Sequence, residues 1–130
     1  MREYRGKCIA TGEWLFGFLV DAKHIGNWVE ASPVRPETVG ECTGIFGYFI
    51  NGESKPGDTI LRSFIYEGDI VEVVLIEGTH RGFSWGRHVV VFDQGAFCLK
   101  DRRGQIIPMC NYSANVKFNV LGNAWDNPEL

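Results

Sequence analysis

The chain has 130 residues, 45% of them hydrophobic and 22% charged, with a formal net charge of −3. That length suits one domain, or a small core domain with a structured extension, and the composition is that of a folded chain, not a disordered one. The acidic balance argues against a protein whose main task is coating nucleic acid, while leaving room for a local basic patch.

The amino terminus, Met1–Lys7, is charged and leads into no signal-like apolar stretch, and no window reaches the roughly 20 apolar residues that span a bilayer. A cytoplasmic protein without a membrane segment is expected. Four cysteines, Cys8, Cys42, Cys98 and Cys110, stand far apart among apolar neighbours. Without an export signal they are expected to be buried free thiols. Sixteen glycines against two methionines favour many tight turns, as an all-β fold needs.

Lys7–Ala10, the turn Thr11-Gly12-Glu13 and the arm Trp14–Val20 predict a hairpin. Asp21–Asn27 reads as a polar connection, and Trp28–Ala31 as a short strand ended at an edge by Pro33 and Pro36. Pro36–Gly40 predicts one helical turn, with Pro at its start and Gly past its end. Residues 45–64 form the least regular part. Their centre, Asn51–Asp58, is dense in turn-formers and predicts an exposed loop.

Ile65–Ile76 is the pivot of the reading. A Glu-Gly-Asp turn opens into Ile70–Ile76, where Val71, Val73 and Leu75 occupy one face and Ile70, Val74 and Ile76 the other. Glu72 is the only charge inside the run. A short β-branched run with glycine at both ends predicts a strand covered on both faces, the middle of a small closed sheet. A meander follows: a long strand over Phe83–Phe92, a turn at Asp93–Gly95, a strand over Ala96–Lys100, a turn at Asp101–Gly104, then Gln105–Ile107 stopped by Pro108. Val116–Gly122 closes the set, with Lys117 and Asn119 facing outward. Strands at this spacing predict a small antiparallel barrel, mainly β with little helix. The expected organisation is an amino-terminal β extension over 1–64, a barrel over 65–125 and a tail over 126–130.

Four segments in order resemble the YopX family of phage and prophage proteins. They are Thr11–Val20, Pro36–Gly44, Ile65–Val71 and Val120–Leu130. Glu41 departs from the glutamine usual in the family, and the gap before the Glu-Gly-Asp motif is longer than usual. The resemblance implies a Src-homology-3-like barrel in the carboxy-terminal half and a phage or prophage origin. It implies no particular reaction and no catalytic residues.

The residues recommend no enzyme, metal or cofactor. His24, His80 and His88 lie at no metal-ligand spacing from a cysteine, and there is no Cys-x-x-Cys pair. No nucleophile elbow, phosphate loop or dinucleotide loop is present. Glu67 and Asp69 flank Gly68 and could be taken for an acid–base pair. An Asp at a strand entrance has a structural use of its own, because it accepts hydrogen bonds from nearby backbone N–H groups. A hydrolase would need Glu67, Asp69 and His88 to converge.

Gly78–His88 stands above background by mixing cations, aromatics and glycines. Between Gly78 and Lys117 there are six cations against two acids, a local +4, while the rest of the chain carries −7. His80, Arg81, Trp85, Arg87 and His88, with Arg102 and Arg103 on the later turn, are the candidate contacts for a ligand or for nucleic acid. The solely structural alternative is a hairpin with solvated cations outside and Phe83 and Trp85 packed in. Two functions follow. The first is a non-enzymatic binding or assembly module, self-associating through the apolar hairpin of Trp14, Phe16, Phe18 and Leu19, with a phage or host protein as a further partner. The second is a nucleic-acid-contacting accessory protein using the 78–88 loop and the Arg102-Arg103 turn.

Overall fold

The computed structural model describes residues 3–21, 23–26, 31–50, 60–112 and 115–128. The fold is mainly β, and its only helical pieces among these residues are two single turns, Pro36–Thr38 and Met109–Asn111. The chain divides into two compact units, Met1–Thr43 and Gly44–Leu130.

In the first unit, β1 (Tyr4–Lys7) pairs antiparallel with β2 (Trp14–Asp21), which pairs with β3 (His24–Gly26) and that in turn with β4 (Ala31–Pro33). On its other side β1 takes up Gly40 and Glu41, the start of β5 (Gly40–Ile50). The expected hairpin exists, with its first arm earlier than read. Cys8–Thr11 form the turn, closed by Cys8 N–H to the Glu13 carbonyl at 2.8 Å and Gly12 N–H to the Cys8 carbonyl at 2.8 Å. The polar connection expected over 21–27 carries β3. The strand expected at 28–31 falls largely outside the described residues, and Pro33 ends an edge strand as its missing N–H requires.

Ile25, Val34 and Cys8 form the small core of this unit. Glycine is needed where β2 and β3 close over it, since a Cβ on Gly17 would run into the carbonyl oxygen of Gly26. The Pro36–Thr38 turn is tied to β1 through one hydroxyl. Thr38 Oγ1 donates to the Arg35 carbonyl at 2.6 Å and accepts the Lys7 N–H at 2.9 Å.

The second unit contains the rest of β5, then β6 (Ile60–Tyr66), β7 (Asp69–Leu75), β8 (Ser84–Asp93), β9 (Ala96–Lys100), β10 (Ile106–Pro108) and β11 (Val116–Asn123). Its strand order is β10-β9-β8-β7-β11-β5-β6, so β7 is the middle strand. Val71 and Val73 are fully buried, and Ile70 is buried on the opposite face. The expected stave is where the reading placed it.

Two expectations about this unit need correction. Residues 45–50 and 60–64 are strand, so only the centre of the supposed irregular segment, 51–59, lies outside the described residues. The sheet is also not wholly antiparallel: β11 pairs in parallel with β5, Asn119 opposite Tyr48 and Val120 opposite Phe49. Among the described residues the strand path stays open, with β10 and β6 at its ends.

Ile65, Val71, Val73, Val90, Leu99, Met109, Phe118 and Val120 form the core. The β8–β9 connection is a two-residue turn in which Gln94 (φ 48°) and Gly95 (φ 81°) are both left-handed. That is the turn whose twist matches the strands it joins. Cys98 is buried in this unit as expected, and burial pushes its thiol up, but Cys42 is half-buried and Cys110 exposed. All four thiols are free. Asn119 is buried and not outward-facing, and its Oδ1 has no hydrogen-bond partner among the described residues.

Candidate functional site

The Glu67-Gly68-Asp69 turn is a structural corner. Asp69 is 1% exposed, and its Oδ2 accepts the Tyr66 N–H at 2.8 Å across the turn. Gly68, at φ 93°, donates its N–H to the Val90 carbonyl on β8 and accepts the Ala124 N–H after β11, both at 2.8 Å. One residue thus ties the turn to two neighbours.

The Ala124 side of that tie is itself a knot of short-range bonds. Asn123 Oδ1 accepts the N–H groups of Trp125 (3.1 Å) and Asp126 (2.8 Å), while Asn127 Oδ1 accepts the Asn123 N–H at 3.2 Å. Gly122 lies under Asn127, whose side chain occupies the space a Cβ would need. Two motifs that are distant in sequence, Ile65–Val71 and Val120–Leu130, therefore meet as one joint.

His88 does not join the acidic pair. It is buried on β8, and its Nδ1 lies 3.2 Å from the Gly86 carbonyl, which takes its hydrogen when Nδ1 is protonated. The ring makes no hydrogen bond to Glu67 or Asp69, so the three groups required for hydrolysis do not form a constellation. Among the described residues no group of three or more His, Cys, Asp or Glu side chains is placed to hold a metal ion.

The 78–88 segment spans the end of the β7–β8 connection and the first half of β8, and the connection is closed by Gly82 N–H to the Leu75 carbonyl at 2.7 Å and Leu75 N–H to the Phe83 carbonyl at 2.9 Å. Gly86 (φ 85°) sits where the β7–β8 register shifts, between the pairs Glu72–Arg87 and Val74–Ser84. This bulge separates the two halves of the segment. Phe83 and Trp85 are exposed, not packed in as the solely structural alternative required. Their rings meet edge to face at 5.0 Å, and Trp85 meets Tyr112 the same way at 6.2 Å.

The predicted contacts separate into groups. Arg87, His88 and Arg102 line one recess of about 60 Å³, together with Lys100, Asp101, Ile70 and Val89. Arg81 lines another of about 230 Å³ with Lys117 and Val74. His80 is exposed on the connection and Arg103 on the turn, and neither lines the first recess.

Lys100 was missing from the sequence-derived contacts. It closes a strand and looks like an ordinary solvated end. The signal that could have found it is the two-residue Gln94-Gly95 turn, which fixes the β8–β9 register and sets Lys100 opposite Val89. Among the described residues Asp101 is the only acid lining this recess, and its Oδ1 already accepts the N–H groups of Arg103 and Gln105, each at 2.9 Å.

The geometry defines a small all-β protein whose most specific sequence features hold a corner together, with basic recesses on its surface. The chain belongs to the YopX family: the family profile described as YopX protein matches residues 63–130, a little over half of it. That range includes both halves of the joint at Gly68, whereas the resemblance over Thr11–Gly44 lies outside it. No curated protein and no solved structure matches the chain.

Proposed function

We propose that this YopX-family chain is a non-enzymatic binding or assembly module of phage or prophage origin that works in the cytoplasm as a homo-oligomer. We read its second unit as a variant of the Src-homology-3-like barrel, with the β10–β9–β8–β7 meander as the barrel wall. Family membership supports the origin. The absence of a catalytic role rests on the corner chemistry, where the acidic motif is occupied in holding backbone. No helix among the described residues is long and apolar enough to cross a membrane.

The observation that carries assembly is the apolar surface of β2. Phe16 is 55% and Val20 58% exposed on one face of the strand, and Ile9 is exposed on the adjoining turn. Exposed side chains of this size on one strand face suit a contact between copies. Sedimentation velocity over a broad concentration range is expected to show a dimer or larger species, reduced to monomer by the double substitution Phe16→Ser, Val20→Ser. A monomer at every concentration for the unmodified chain removes the reading.

A second reading, contact with nucleic acid, is favoured by one observation: Arg87 and Arg102, distant in sequence, line the same recess.

A further inference from the structure

We infer that the recess at the end of the β8–β9 ladder binds a phosphate group, held by Arg87, Lys100 and Arg102. The inference deepens the nucleic-acid reading, and rests on it only for the source of the phosphate.

The antiparallel register gathers the charge. Val89 stands opposite Lys100. Arg87 lies two residues before Val89 and Arg102 two residues after Lys100. In an antiparallel pair those two steps run in the same direction, so all three cations collect at one end of the ladder. Diagonal neighbours in such a pair are about 7–8 Å apart, close enough for long side chains to share one anion. Like charges gathered across strands repel, and although Glu72 stands opposite Arg87 on β7, no ion pair ties any of the three cations to an acid among the described residues. Asp101 cannot balance three charges, and one of its oxygens is already engaged by backbone donors.

The recess also selects the ligand. Ile70 and Val89 give it an apolar floor, and its volume of about 60 Å³ suits a compact oxyanion and is too small for a nucleobase. Two guanidinium forks and an ammonium present many donors from several directions. Guanidinium forks match carboxylate and phosphate alike, and a phosphate brings more acceptor oxygens and more charge to such a set. Bases of a bound strand would then lie outside the recess, within reach of other surfaces.

The test uses the full chain in two arms. In the first, amide and side-chain NMR shifts are followed during titration with inorganic phosphate, with chloride at matched ionic strength as the control. Phosphate-specific shifts are expected at residues 87–89 and 100–102, and are expected to vanish in the double variant Arg87→Ala, Arg102→Ala. The exposed positions of both side chains favour a folded variant, and its dispersed spectrum is the control for that. In the second arm, anisotropy of a labelled oligothymidylate is measured against salt. Each of Arg87→Ala, Lys100→Ala and Arg102→Ala is expected to lower the slope of log affinity against log salt by about 0.7, as for one lost phosphate contact on a single strand. Arg81→Ala, in the other recess, is the comparison.

Phosphate shifts in the first arm without oligonucleotide binding sustain the recess and defeat the nucleic-acid source. Oligonucleotide binding whose slope is unchanged in all three variants, with no phosphate shifts at the recess, overturns the inference and leaves the broader reading to other cations.

Discussion

Asp69 shows how much one carboxylate can do without chemistry. Its side chain is buried and accepts the Tyr66 N–H, so truncation would strand a donor in the interior. Asp69→Ala is expected to lower unfolding free energy by about 1–3 kcal/mol, the cost of an unsatisfied buried group, in urea titrations with an unchanged slope. A loss below a few tenths would mean that the corner is held by other contacts.

Asp21 gives the opposite case, an exposed acid with a pH signature. The His24 ring at 2.8 Å and the Lys23 N–H hold its carboxyl below the usual carboxylate range. A folded pKa below the unfolded one contributes stability that is present above the unfolded value and lost as pH falls through the folded one. The acid limb of stability against pH is therefore expected to flatten in Asp21→Asn, with the two curves converging below the carboxylate range. Denaturant midpoints at stepped pH check this, and parallel curves would refute it.

Asn119 marks a limit of residue-level reading. Strand alternation correctly puts it on the face away from Phe118 and Val120, but alternation does not say whether that face is wet. Here it is buried.

Among the strands, β7 was the most legible element and β5 the least, for related reasons. The run Ile70–Leu75 has no glycine and no turn-former, so period and composition agree. β5 contains Gly44 and Gly47 and leads toward Asn51–Asp58, which together read as interruption. In the fold Gly47 is a close approach. A Cβ there would stand 2.7 Å from Val120 Cγ2 and 2.8 Å from Ile65 Cγ1, inside the core. A glycine inside a strand can signal either a break or a neighbouring chain pressed against it. Only the partner, far along the sequence on β11, decides which.

Gly47→Ala follows as a test. The added methyl meets two buried side chains, and overpacking of this kind costs about 1–3 kcal/mol. Gly12→Ala, where nothing lies within 4 Å of the added Cβ, pays only for its left-handed φ of 72° and separates strain from crowding. If the two variants melt alike, the close approach of β5 to β11 is wrong. The candidate site was legible to the same degree as its elements. The 101–104 turn was read and Arg102 named on it, and Arg87 was named for its place in the mixed 78–88 stretch, whereas Lys100 required a register and the bulge at Gly86 hid the separation of Arg81 from them.

For the molecule as a whole, the question is where the self-sufficient β unit begins. The family profile starts at residue 63 and the sequence pattern at 65, while the compact unit starts at Gly44. The difference is the latter part of β5, residues 51–59 and most of β6, and its absence has a structural consequence. Without it, β11 loses its partners at Tyr48 and Phe49, and Ile45 no longer packs on the core. Of β6 only Ile65 and Tyr66 would remain, and the pairing of β6 with β5 would be gone, although Ile65 is fully buried. A fragment starting at residue 65 would thus present an unpaired edge along β11, the kind of strand that associates or fails to order. A fragment of residues 44–130 keeps every pairing of the second unit and its entire buried cluster. It is expected to give a dispersed amide spectrum and a single cooperative melt, and the fragment 65–130 a collapsed or aggregating one. Equal dispersion in both fragments would return the boundary to the Glu-Gly-Asp corner and make β5 an accessory strand.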